Sequence, residues 1–111
     1  MAVTQARVRD LALALPEVVE ADHHGRASYR LGGRVLATVP DEAGLNVLVA
    51  EDEARAAAHA HPDGCALLWW GRSLSGVRVE LAAVDEALVT ELLEEAWRRR
   101  APARLRRARP G

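Results

Sequence analysis

The chain of 111 residues contains no phenylalanine, no lysine, and one residue each of cysteine, methionine and tyrosine. Without phenylalanine, the core must be built from leucine, valine and alanine around three tryptophans. A lone cysteine, Cys65, closes no internal disulfide, which fits a reducing compartment such as the cytoplasm. No run approaches the roughly 18–20 apolar residues of a membrane span, and the N-terminus lacks the basic-then-apolar pattern of a signal segment. The expectation is a soluble, cytoplasmic protein with no membrane partner. Also missing are Gly-x-Ser-x-Gly, the P-loop, Gly-x-Gly-x-x-Gly and His-Glu-x-x-His, so the reading is non-enzymatic, with no catalytic residue and no cofactor.

What is present is a half-apolar chain long enough for one domain, able to bury about two-thirds of its unfolded surface. Residues 1–102 read as that domain and residues 103–111 as an arginine-rich tail. All fifteen basic residues are arginine, as a GC-rich coding sequence alone would give. Seven of them follow Trp97, where no acid occurs, leaving eight against sixteen carboxylates in the rest of the chain. A formal net charge of −1 thus conceals an acidic body with a cationic end. Such an end suits an anionic partner, or a tail that docks on its own body.

Thr4 is placed to cap a helix running to about Leu15. Its apolar stripe is Val8, Leu11, Ala12 and Leu15, and Pro16 stops it. Glu17 to Asp22 reads as a weak strand, followed by the loop His23-His24-Gly25-Arg26. The clearest element is a hairpin centred on Gly32-Gly33, a dipeptide suited to the positive φ of a two-residue turn. Its second strand alternates Val35, Ala37 and Val39 with Arg34, Leu36 and Thr38. Leu45 to Val49 is a further strand; Glu51-Asp52-Glu53 opens an alanine-rich helix that stops at Pro62. Cys65 to Trp70 reads as a strand, Gly71 to Ser75 as a polar turn containing Ser73 and Ser75, and Gly76 to Ala82 as an alternating strand. Asp85 caps the last helix, and beyond Pro102 little remains to bury. The order α-β-β-β-β-α-β-β-α with short connections gives a two-layer α+β domain, an antiparallel sheet covered by three helices.

The helix end Leu-Ala-Leu-Pro-Glu-Val, the hairpin Ser-Tyr-Arg-Leu-Gly-Gly-Arg-Val-Leu-Ala and Val77-Arg78-Val79-Glu80-Leu81 resemble the MmcQ/YjbR family of small bacterial proteins. Ala96-Trp97 followed by Ala101-Pro102 extends the likeness, which runs from about Val8 to Leu105. The resemblance implies a compact fold with an antiparallel sheet in a double-wing arrangement, and DNA binding without catalytic residues. This chain departs from the family in using arginine where lysine is frequent, and in its arginine-dense end.

The candidate nucleic-acid contacts are arginines. Arg26, Arg30 and Arg34 belong to the hairpin unit, Arg72 and Arg78 to the later strands, and Arg98, Arg99, Arg100, Arg104, Arg106 and Arg107 to the C-terminal end. A β-ribbon fits a DNA groove, and phosphate contacts need no base sequence. The bland reading is that strand arginines are solvated and paired with acids such as Glu80, while Arg98-Arg99-Arg100 complement a helix dipole. Trp69-Trp70 form the other candidate: neighbours on a strand point to opposite faces, so only one enters a one-sided core. The other lies under a helix or the tail, the commoner outcome, or stays exposed, where it suits base stacking or a protein partner, a homodimer included. His23-His24 and His59-x-His61 near Cys65 lack the paired spacing of a tetrahedral zinc site, so no metal is expected. DNA binding through hairpin and tail arginines is therefore the first reading. A homodimeric or chaperone-like interaction module is the second.

Overall fold

Thr4 Oγ1 accepts the Arg7 N–H at 3.1 Å and starts α1 (Gln5–Leu13). The computed structural model describes residues 2–108. Arg109, counted among the cations of the tail, lies outside them. Val8 and Ala12 are buried on α1, and Leu15 follows them into the core after the helix has ended.

Four strands come next: β1 (Val19–His23), β2 (Arg26–Leu31), β3 (Arg34–Thr38) and β4 (Gly44–Val47). Gly32 and Gly33 stand at φ of 56° and 81°, the left-handed pair that a tight hairpin twisting with its strands requires. The expected loop at residues 23–26 is a second hairpin turn of the same kind, with strand structure reaching through His23 and Arg26. Helix α2 (Glu51–Ala60) has its carboxylates in the first turn. Strands β5 (Cys65–Trp70) and β6 (Ser73–Glu80) follow, then a single turn at Leu81–Ala83. The polar turn expected at residues 71–75 shrinks to Gly71-Arg72, and Ser73 and Ser75 belong to β6. Helix α3 (Glu86–Arg100) is capped by Asp85, whose Oδ1 accepts the Leu88 N–H at 2.9 Å. Residues past Pro102 form α4 (Ala103–Ala108), which buries Leu105, so this stretch contributes to the core beyond what its composition suggests.

All pairings are antiparallel in one six-stranded sheet of order β1-β2-β3-β4-β6-β5. The expected α+β architecture holds. Leu45 lies opposite Val79 and Val47 opposite Val77, and all four are fully buried beside the helices. Helix α2 packs on β5 and β6, α3 on β3 and β4, and α1 on α3. The expected alternation on β3, which grouped Leu36 with Arg34 and Thr38 against Ala37, fails there: Leu36 and Ala37 are both buried. A bulge opposite Tyr29/Arg30 gives β3 one extra residue, turning both Leu36 and Ala37 inward. Across the second face run Ala21, Ser28, Thr38, Asn46, Arg78 and Ala66, one residue from each strand in register.

Where β6 crosses β4 the backbones approach so closely that a methyl group on Gly76 would overlap the Val47 carbonyl oxygen. That neighbour is main chain inside a paired ladder and cannot swing away. Gly76→Ala is expected to cost about 3 kcal/mol, roughly 10 °C in Tm, measured by thermal denaturation. Gly33→Ala meets no atom within 4 Å and loses only its positive-φ preference, so it should fall well short of that.

Candidate nucleic-acid interface

The arginines separate by what they touch. Those on the helices α1 and α2 are neutralised: Arg7 by Glu86, Arg9 by Glu20 and Arg55 by Glu51. Among strand arginines, Arg78 is held by Asp41 at 3.1 Å and lies 3.8 Å from Glu80. Arg26, Arg30, Arg34 and Arg72 take part in no ion pair among the described residues. The expectation of cations paired with Glu80 and other acids thus fits Arg78 and not the rest of the set.

The second sheet face gathers part of that set. Arg30 Nε donates to Ser28 Oγ at 3.1 Å, and its Nη2 lies 3.5 Å from His23 Nδ1. Next to it is a pocket of about 400 Å³ lined by His23, His24, Arg26, Thr38, Asn46 and Trp70, closed at one side by Val39 and Pro40. The floor comes from the middle strands β3 and β4, whereas the walls come from the tips of the β1–β2 and β5–β6 hairpins. These hairpins hold opposite edges of the sheet, and long side chains, Arg26 and Trp70, bring them to one pocket. Asn46 Oδ1 is buried there with no hydrogen-bond partner among the described residues. On its open side the pocket is lined by a cation and an indole, groups that suit a phosphate and a stacked base.

Trp69 and Trp70 are 49 % and 48 % exposed, so neither enters the core as had been expected for one of them. Cys65 at the start of β5 is buried and Leu67 and Leu68 are half-buried, whereas the end of the strand, before the turn at Gly71, is exposed. The two rings still obey strand alternation and leave the hairpin on opposite sides.

The C-terminal arginines do not join this face. Arg104 donates to both Glu17 carboxylate oxygens at 2.9 and 3.2 Å, and Arg106 Nη1 to the Ala101 carbonyl at 3.2 Å. Arg107 is exposed on α4, and Arg98 is half-buried on α3. Arg99 and Arg100 end α3 and, with Arg34 and Arg104, line a separate cleft of about 460 Å³ between the β2–β3 turn and the α3–α4 junction. This gathering of Arg34 with residues far along the chain carries no signal in sequence spacing. His59 and His61 are exposed at the end of α2, and Cys65 is buried, which pushes its thiol up and out of reactive range. No three histidine, cysteine or acidic side chains converge among the described residues, and no helix there is long and apolar enough to cross a membrane.

With this geometry in view, the comparisons with known proteins fall into place. The sequence model of the YjbR family matches residues 13–99. The chain belongs to the YjbR family. It is similar in fold to the crystal structure of the Deinococcus radiodurans protein DR2400, which carries the DUF419 domain, with a TM-score of 0.74 at 20 % identity over 95 % of this chain and 86 % of that one. No curated protein matches it.

Arg104 holds the Glu17 carboxyl below the usual carboxylate range, chiefly through its hydrogen bonds, and Arg78 does the same to Asp41. Both groups are lowered in the folded state, so the unfolded chain takes up protons first on acidification. Their contribution is full above about pH 5 and fades as pH falls through the ordinary carboxylate range near 4 and below. Urea midpoints should therefore drop between pH 5 and 3, with a smaller drop in Arg104→Gln and Arg78→Gln than in the parent.

Proposed function

We propose that this YjbR-family protein binds DNA in the double-wing manner, the β1–β2 and β5–β6 hairpins embracing the duplex and the second sheet face meeting it. The observation that carries this reading is the selective pairing of charge. The acidic body cancels the arginines of α1 and α2, while Arg26, Arg30 and Arg72 on the two hairpins are left without a carboxylate. A guanidinium without a carboxylate partner keeps its charge for phosphate, because no ion pair must be broken first. Trp70 beside Arg26 adds a flat apolar surface against which a sugar or an opened base can lie. The C-terminal arginines carry less weight in this reading, since Arg104 and Arg106 are already engaged.

The second reading, a protein-interaction surface, is favoured by two half-exposed tryptophans at consecutive positions of the edge strand β5, one for each face of the sheet. Salt separates the two readings. Counterion release makes DNA affinity fall steeply with ionic strength, whereas an apolar interface tolerates salt.

Fluorescence anisotropy with generic duplex DNA across a salt series is the test. Binding should weaken steeply between 50 and 200 mM salt, and Arg26→Gln with Arg30→Gln should flatten the log–log slope by about 0.9 per phosphate contact removed. No binding at low salt overturns the proposal and directs attention to a partner for Trp69 and Trp70.

A further inference from the structure

We propose that the cleft between the β2–β3 turn and the α3–α4 junction is a binding site for a phosphate monoester, distinct from the sheet face and independent of DNA binding there. Four arginines, Arg34, Arg99, Arg100 and Arg104, line it with a single acidic residue, Glu17. The Gly32-Gly33 turn delivers Arg34, and the last turn of α3 and the start of α4 deliver the others.

Several features of the cleft point to an anion. Arg99 donates to the Leu48 carbonyl at 3.4 Å but meets no carboxylate, and desolvation and the neighbouring charge of Arg100 disfavour its cation. A folded chain gains nothing by holding two such groups together, but a bound dianion reverses the penalty. Arg100 Nε is buried with no hydrogen-bond partner among the described residues, a donor that native structures ordinarily satisfy. Glu17 sits at φ 63°, a left-handed conformation uncommon outside glycine, and from there lays its carboxylate across the Arg104 fork. That carboxylate occupies the rim much as an incoming anion would, since the same planar fork accepts carboxylate or phosphate in two parallel bonds. Four cations against one acid leave an excess that a monoester, close to doubly charged at pH 7, matches better than the singly charged diester of an unbroken strand. The same chemistry is carried by a small phosphorylated metabolite and by the 5′-phosphate at a nucleic-acid end.

The test is isothermal titration of the full chain with inorganic phosphate and with ribose 5-phosphate, at constant ionic strength set by chloride. Saturable binding is expected. Arg34→Gln and Arg100→Gln should each weaken it roughly tenfold or more, and Glu17→Gln should tighten it by removing a repelling charge. Arg34 is an exposed turn residue, so its variant reports on the site even if Arg100→Gln impairs folding. Absence of saturable heat overturns the proposal, and so does binding that Arg34→Gln and Glu17→Gln leave unchanged. Single-stranded oligonucleotides with a 5′-phosphate or a 5′-hydroxyl distinguish the sources. Tighter binding of the phosphorylated strand that Arg34→Gln abolishes assigns the site to nucleic-acid ends; equal binding of the two, with ribose 5-phosphate bound, assigns it to a free small molecule. Arg26→Gln should weaken duplex DNA alone and leave inorganic phosphate binding intact, so the two readings fail separately.

Discussion

An indole as large as that of Trp97 can vanish from solvent only if its N–H finds an acceptor. In this fold the acceptor is the Pro16 carbonyl at 3.0 Å, while the ring itself is fully buried. The bond ties the last turns of α3 to the link between α1 and β1. Pro16 lies past the end of α1, where its carbonyl serves no intrahelical N–H and accepts the tryptophan's instead. Directly after it, Glu17 turns into the left-handed region and the chain enters the sheet. The position of α3 against β3 and β4, the placement of Glu17 opposite Arg104, and the seat of α4 all follow from this one anchored ring.

The architecture was legible wherever local chemistry decides it. Gly32-Gly33 demands a tight hairpin, Thr4 and Asp85 fix helix starts, and Leu45, Val47, Val77 and Val79 alternate with polar neighbours, so element order and sheet type follow from spacing alone. Misreadings arose where a long-range contact outweighs the local pattern. Leu36 faces inward because the bulge adds a residue to β3, which no periodicity in that strand reveals. Ser73 and Ser75 look like turn residues, yet pairing with Trp70 and its neighbours draws them into β6. Composition assigned little burial to the residues after Pro102, but a single leucine, Leu105, suffices to seat a short helix.

The site was legible as a list and not as an arrangement. Arginine is conspicuous in this sequence, so every candidate cation could be named. Which of them keep their charge unpaired depends on where Asp41, Glu80, Glu86 and Glu20 fall in space. Likewise Arg34 and Arg99 belong together only after the β2–β3 turn has been laid beside the end of α3. Alternation assigns Trp69 and Trp70 to opposite faces, but it does not say how far the packed layer extends, and both rings are half-exposed.

The strand order has a kinetic corollary. Four of the five pairings in the sheet join strands consecutive in sequence, each closing a short loop. Only β4 with β6 spans an intervening helix and strand, bringing Val47 to Val77. Loop closure is inexpensive for neighbours and slows folding when contacts are remote. The chain therefore divides into a leading four-stranded meander and a trailing α2–β5–β6 unit, and joining one to the other carries the largest loop-closure cost of any pairing in the sheet. At that seam Gly76 passes the Val47 carbonyl with no room for a side chain. Of the glycines, the one with the least room for a side chain thus lies on the seam that joins the two halves of the molecule.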